Sequence, residues 1–557
     1  MENKIMTGIV IALPFCFGGF YIWTICLCGI LLCVILCRNI WEKKKIVISM
    51  DCSFLALGLI GIFHMGTMVY GIDKGMSLIG AIRYLVIPLL ALLLLQMEKE
   101  KKQELLKMIP DIAAIMTIVS VVCYASPLKK YFFQGSRLGG FFQYSNTFAL
   151  FLLLGMILLV YENCWEKKQI VELLILIAGI FLTGSKGIFL FLFFHAVYFF
   201  MKEKSWRKQI IALFIISIFI AVITVVITGN HQNFGRFLLL AGKNRTMWKR
   251  LLYDLDGLKM LKGHPLGLGY MGFYYLQPSM QVVKYSTKFV HNDILQMGLD
   301  AGVVSMFLLI AIFAKQIFAK DNNKLQKHLL LVIFLHSCID FNLQYFVIWM
   351  VALSCMEFQK IKVIELNFSK LYYVTMAVIG CMFVYIGGIS YLEYSGEIER
   401  LIRYAPWMTT VKIHQLSIET DANQAEKIAN DLVKRNPYIS QSYGVKAEIA
   451  YLNKDYKQMM KYEREQILHR KCEVSLYEEY ITRLYEMLSS ADRNGRKEEV
   501  KVYLEELLWI QQLLEQENRE IGELAYRAVV NPKLEIGANY RQYLIQINAY
   551  YKSNYEN

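Results

Sequence analysis

Phe289–Phe318 reads FVHNDILQMGLDAGVVSMFLLIAIFAKQIF: a His-Asn-Asp triplet, His291 to Asp293, followed by an apolar run, Ile294 to Phe318. A bilayer span needs roughly 20 such residues, and this run is long enough. Asn292 or Asp293 can cap the helix that follows, because a short polar side chain accepts from the free N–H groups of a helix start. A cap there holds His291 at the membrane surface, beside the positive end of a helix dipole. Histidine exchanges protons near neutral pH, so in that place it can meet both a water-borne acceptor and a lipid-borne anion. The remainder of the chain predicts a membrane scaffold that brings cationic side chains toward this residue.

Composition fixes the class. Of 557 residues, 56% are hydrophobic and 19% charged, in repeated long apolar runs, which marks a polytopic membrane protein. No cleavable signal is evident: the first run, from Ile5, leads into further spans and has no small-residue cleavage site. The net charge of +14 invites a nucleic-acid partner. Its placement argues against one, since Lys and Arg fall mostly in short loops between apolar runs, the positive-inside pattern. Ten of the twelve cysteines lie in or beside apolar runs, without a CxxC pair or a His/Cys cluster suited to zinc, and read as small apolar fillers.

Taken in order, Ile5–Cys37 is too long for one helix, and Pro14 with Gly18-Gly19 predicts a tight hairpin. Further spans are expected over Cys52–Tyr70, Met76–Met97, Met108–Ser126, Tyr144–Tyr161, Ile170–Thr183, Ile188–Met201 and Ile210–Thr228. After a polar insert come Ile294–Phe318, Leu329–Phe358 as a pair, and Leu371–Tyr391. The total is about 12–13 helices in an all-α polytopic domain over 1–391. The Lys-rich loops face the cytoplasm on this count, with the N-terminus inside and the other ends, including the outer loop 229–293, outside. Within that loop Trp248, Leu251, Leu252, Leu255, Leu258 and Leu261 recur at helical spacing and predict an amphipathic helix lying on the membrane. Residues 392–557 are charged and helix-forming, an extracytoplasmic helical domain. There ANQAEKIANDLVKRNP, Ala422–Pro437, resembles a tetratricopeptide helix, or equally an ordinary helical hairpin, and offers a surface for a protein partner.

Charges at the membrane edge are costly and therefore candidates for function. Arg137 lies in GSRLGGFFQYSN, just before a span that Asn146 opens. Lys186 sits in the turn TGSKG, and Arg245 in NRTMW at the start of the insert's helix. Arginine can clamp a diphosphate with paired hydrogen bonds, and lysine can hold it as a point charge. Each alone is ordinarily a headgroup anchor; together, on the side of His291, they form a set. Arg83, inside an apolar run, either snorkels, pairs with a neighbouring helix or contacts substrate. His336 and Asp340 stand four apart in LHSCIDF and are expected to share one helix face, the carboxylate orienting the ring. His64, His195 and His328 read as structural. Phe141, Phe142, Tyr144, Tyr270, Tyr274 and Tyr275 are interfacial anchors or platforms for sugar rings.

Four of these stretches, in this order and on one side, resemble the O-antigen ligase and polymerase family of bacterial surface-polysaccharide enzymes. GSRLGGFFQYSN is similar to the segment before a middle span and TGSKG to a Ser-Arg-Gly turn. NRTMW with GHPLGLGYMGF is similar to the large outer loop, and FVHNDILQMGLDAG to the histidine motif after it. The resemblance covers about residues 1–391. It implies a donor saccharide on polyprenyl (undecaprenyl) diphosphate, a glycan or glycolipid acceptor, and no metal or other cofactor. It implies that His291 is the general base and that Arg245 binds the diphosphate. Lys186 stands where the family usually has arginine, which keeps charge but loses paired geometry, so Arg137 is a candidate to share its task. Asn292, Asp293, Asn146, His336 and Asp340 are supporting candidates. A transporter or flippase of such lipids would favour charges deep within spans and two related halves, and no internal repeat is evident. A non-catalytic scaffold of an assembly complex would make His291 dispensable.

Overall fold

Cys52–Tyr70 forms one helix bounded by Asp51 and Asp73, as its unbroken apolar run dictates. The computed structural model describes residues 2–162, 166–202, 207–208, 211–212, 215–216, 219, 245–365 and 370–555. The span expected over Ile210–Thr228 and the first part of the outer loop, 229–244, lie largely or wholly outside the described residues. The chain is an all-α polytopic membrane protein. Among the described residues five helices are long and apolar enough to cross a bilayer: Ile22–Lys43, Cys52–Tyr70, Lys74–Leu95, Lys99–Ala125 and Lys370–Ser395. Shorter apolar helices include Ser145–Tyr161 and Val303–Phe318.

Contacts divide the chain into two compact units, one of Met1–Gly66, Leu78–Asn244 and His291–Tyr404, the other of Thr67–Ser77, Arg245–Val290 and Ala405–Asn557. In the first, the opening run does break, between Glu2–Phe15 and Ile22–Lys43, where Gly18 adopts φ 63°. Ser145–Glu162 lies in its interior: Phe148 to Leu154 are all fully buried, as a helix apolar on every side requires. Gly179 lets the neighbouring helix Lys167–Thr183 approach it closely, since a Cβ there would come within 2.8 Å of Leu152.

Two departures from expectation matter. The run Ile294–Phe318 is not one span but two helices, Asp293–Ala301 and Val303–Phe318, broken at Gly302. Gly302 has φ 91° and ψ 163°, a backbone that residues with a Cβ rarely adopt, while apolarity continues across the break and hides it. The segments Lys45–Ser49 and Ile361–Glu365, beside Lys-rich loops, are also more than loops. They pair as an antiparallel ribbon, Val47 opposite Val363, built largely of β-branched residues.

The second unit is helical, with small turns. Its loop helix Arg245–Gly263 is amphipathic as expected, but its apolar residues divide. Trp248 and Leu252 pack against Val283, Ile521, Ala525 and Ala528, whereas Leu251, Leu255 and Leu258 remain 40–50% exposed. So part of the face expected on the membrane is covered by the tail. Asp73 takes hydrogen bonds from Thr409 Oγ1 at 2.5 Å and Asn436 Nδ2 at 3.3 Å, fastening the loop after Tyr70 to the tail helices.

The tail runs as successive helix–turn–helix pairs. Ala422–Arg435, capped by Asp421, turns at Asn436 into Ser440–Leu452, and Asp455 caps Tyr456–Leu468. Tyr477, Tyr480, Leu484, Leu504 and Leu507 form the core of its later helices. Glu463 is 7% exposed and shares Arg483 with Glu448, at 3.0 and 2.5 Å. One guanidinium divided between two carboxylates does not offset burial, so the Glu463 carboxyl is pushed up to about 7 from 4.5. A raised carboxyl binds its proton more tightly when folded, so its contribution is full below 4.5 and lost as pH rises through 7. Thermal melting of the tail helices in the full-length protein is expected to fall across that window, and Glu463→Gln to flatten the dependence. An unchanged pH dependence in Glu463→Gln would refute this.

Candidate functional site

The site begins with a cap. Of the two candidates, Asn292 is the one that caps: its Oδ1 accepts from the backbone N–H of Ile294 and of Leu295, both at 3.1 Å. Asp293 instead turns inward, 2% exposed, and its Oδ2 accepts from Leu343 N at 2.7 Å. These bonds fix the helix start and join it to the turn after Ser337. His291 precedes the cap and is thereby held against that turn.

Asp340 is fully buried, and a buried carboxylate must have its oxygens satisfied. Oδ1 accepts from Tyr144 Oη at 2.8 Å and from Phe341 N at 2.9 Å, and Oδ2 accepts from Asn146 Nδ2 at 2.7 Å. His291 Nδ1 lies 3.1 Å from the same Oδ1. The carboxylate therefore favours the Nδ1–H tautomer, in which Nε2 carries the lone pair. The His291 side chain is 17% exposed and that of Asp340 only 1%, so the imidazole is the member that can reach a substrate. The Phe341 ring meets the edge of His291 at 4.9 Å and stacks on Tyr144 at 4.6 Å, limiting both rings.

Arg137 extends the network. Its Nη2 donates to Asn146 Oδ1 at 2.6 Å and its Nε to the carbonyl of Thr183 at 2.8 Å. Thr183 ends a helix, where a cation is favourable. Arg137 thus ties the turn that carries Lys186 to the asparagine that holds Asp340. Two of its nitrogens are committed to the protein, which makes it an organiser of the site before it is an anion ligand.

The expected placement of His336 and Asp340 on one helix is corrected. That helix, Lys324–Ser337, ends before Asp340. His336 Nδ1 meets Asn342 Nδ2 at 2.8 Å, and Thr147 Oγ1 donates to Asn342 Oδ1 at 3.1 Å. Arg83 pairs with a neighbouring segment, through Gln344 Oε1 at 2.5 Å and the Gln344 carbonyl at 2.6 Å. His195 and His328 are not isolated: their rings stack at 4.4 Å, and Tyr161 Oη lies 3.0 Å from His328 Nδ1. Arg245 is the first residue of its helix, in the other compact unit, and is exposed.

Sequence reasoning missed Tyr144 as a partner of Asp340, reading it as an interfacial anchor or a platform for a sugar ring. Its polar signal was the spacing Tyr144-x-Asn146, two hydrogen-bonding side chains at the mouth of an otherwise apolar span.

The fold and this network define a polytopic helical membrane protein with a buried carboxylate–imidazole pair where a broken helix meets a polar turn. Residues 172–310, about a quarter of the chain, match the family model described as O-Antigen ligase, and that match supports a likeness to the family. The matched segment holds Lys186, Arg245 and His291 but not Arg137, Tyr144, Asn146 or Asp340. No curated protein and no solved structure gives a match.

Proposed function

We propose that this protein transfers a saccharide from a polyprenyl-diphosphate carrier to a hydroxyl of a glycan or glycolipid acceptor, at the outer face of a bacterial cytoplasmic membrane. The observation that carries the reading is His291 Nδ1 held 3.1 Å from the buried Asp340. Nε2 takes the proton of the acceptor hydroxyl while its oxygen bonds to the anomeric carbon. The bond from that carbon to the diphosphate oxygen breaks, and its electron pair leaves with the diphosphate. A diphosphate is a good leaving group, so the main demands are a base and fixed positive charge. Asp340 stabilises the imidazolium that forms, as a carboxylate partner does for a histidine base.

The family resemblance implies that Arg245 and Lys186 are diphosphate ligands, and Arg137 keeps the Lys186 turn in place. Arg245→Ala is expected to lower transfer by about 10²–10³-fold, the usual loss for one stabilising donor. Lys186→Met is expected to lose less, and Lys186→Arg to retain activity because charge persists and paired donors are added. Initial rates of consumption of lipid-linked saccharide by purified protein check this. Full activity in Arg245→Ala would remove its role.

The test of the reading as a whole is the fate of the lipid-linked donor in cells. Donor accumulating as single repeats in a deletion strain supports a polymerase, and long unattached chains support a ligase. Donor confined to the inner leaflet would instead favour a transporter.

A further inference from the structure

Within the second unit, the outer loop and the tail enclose a cleft of about 320 Å³, inside the size range of small-molecule sites. One wall is the loop segment containing Tyr274 and Gln281, and the other is formed by tail residues around Tyr438, Gln441 and Arg470. Two contacts join the walls: Lys284 Nζ to Glu473 Oε1 at 2.9 Å, and the Cys472 thiol to the carbonyl of Gln281 at 3.5 Å. The aromatic wall is held in place. The His469 ring meets Tyr438 at 5.4 Å, stacks on Tyr443 at 4.9 Å, and its Nδ1 lies 2.6 Å from the carbonyl of Glu465.

The lining selects a chemistry. Tyrosine faces suit the C–H faces of a sugar ring, and side-chain amides both donate to and accept from hydroxyls. An acyl chain would cover these amides and charges without giving them partners, which is costly. Tyr274, Gln441 and Arg470 are exposed at the rim, so an extended ligand can enter without the fold opening. The loop wall continues along the chain directly into His291.

We propose that this cleft is a second saccharide-binding site, which holds a segment of the glycan chain on residues distinct from the His291 network. The choice of glycan as ligand rests on the transfer reading, whereas the cleft itself does not. A protein that extends or attaches a polymer gains from such a hold, because a tethered chain returns to the site at high effective concentration.

The experiment uses the full-length protein in detergent and, as probe, oligosaccharides made by mild acid hydrolysis of the surface glycan of the same cells. Binding is read by saturation-transfer NMR. Wild type is expected to bind, Tyr274→Ala and Gln441→Ala to bind about tenfold more weakly, and His291→Ala to bind as wild type. Both rim positions are exposed, so the folded state tolerates them. In cells, the rim variants are expected to shorten the glycan while still consuming donor. Absence of binding by the wild type, or undiminished binding by both rim variants, would overturn the site. Retained binding in a His291→Ala protein that still makes normal glycan would end the transfer reading and leave the cleft standing.

Discussion

His291→Ala, produced at wild-type level in cells lacking the native protein, is expected to lose its surface glycan and to accumulate lipid-linked saccharide. The expected fall in transfer is about 10²–10⁴-fold, the range for removing a positioned general base. The imidazole is held by Asp340, flanked by Phe341 and set before a capped helix, so its truncation removes the base without touching the cap. The helix start keeps Asn292 and Asp293 with all their bonds. A fold defect is therefore not the expected cause of failure, and matched protein level with unchanged melting should accompany the lost product. Normal glycan length and yield in this variant would leave a non-catalytic scaffold as the better description.

Asp340→Asn is expected to cost nearly as much, between about 10²- and 10⁴-fold, although it changes no shape. Both carboxylate oxygens are used, facing Tyr144 Oη, Phe341 N, Asn146 Nδ2 and His291 Nδ1. An amide must turn its NH₂ toward a donor on one side, and it no longer offsets charge on the imidazole. The reaction loses both the tautomer and the stabilisation of the imidazolium. The expected signature is a fall in kcat with little change in the KM for donor, since Asp340 is too deeply buried to touch the diphosphate. A rise in KM with unchanged kcat would place Asp340 in donor binding instead, and unchanged kinetics would deny it any part.

Much of the fold was legible because a bilayer imposes length and apolarity on each helix. Cys52–Tyr70 follows its apolar run to the residue, and the break at Gly18 followed from a run too long for one span. The Gly302 break was not legible, since the residues on either side remain apolar and only the backbone changes direction. The ribbon of Lys45–Ser49 with Ile361–Glu365 joins segments at opposite ends of the membrane unit, and charge pattern alone read both as loops.

The site divides in the same way. His291, Asn292 and Asp293 were visible because polar residues stood together before an apolar run. Sequence reasoning gave His291 no partner, because proximity in sequence favoured His336 with Asp340. The turn after Ser337 takes Asp340 off that helix and delivers it to a histidine on another segment. Arg137 and Asn146 were marked as edge polar groups, but their bond to each other depends on the fold between them. Single-residue chemistry is thus readable from sequence, whereas which donor meets which acceptor is decided by packing.

The most direct measurement is transfer by purified protein in liposomes, with labelled lipid-linked saccharide and acceptor supplied, comparing wild type and His291→Ala under single-turnover conditions. Wild type should convert donor to product with release of the polyprenyl diphosphate, and His291→Ala should bind donor equally well yet convert it at least about 10²-fold more slowly. Equal single-turnover rates in the two proteins would contradict the assignment of His291 as the base.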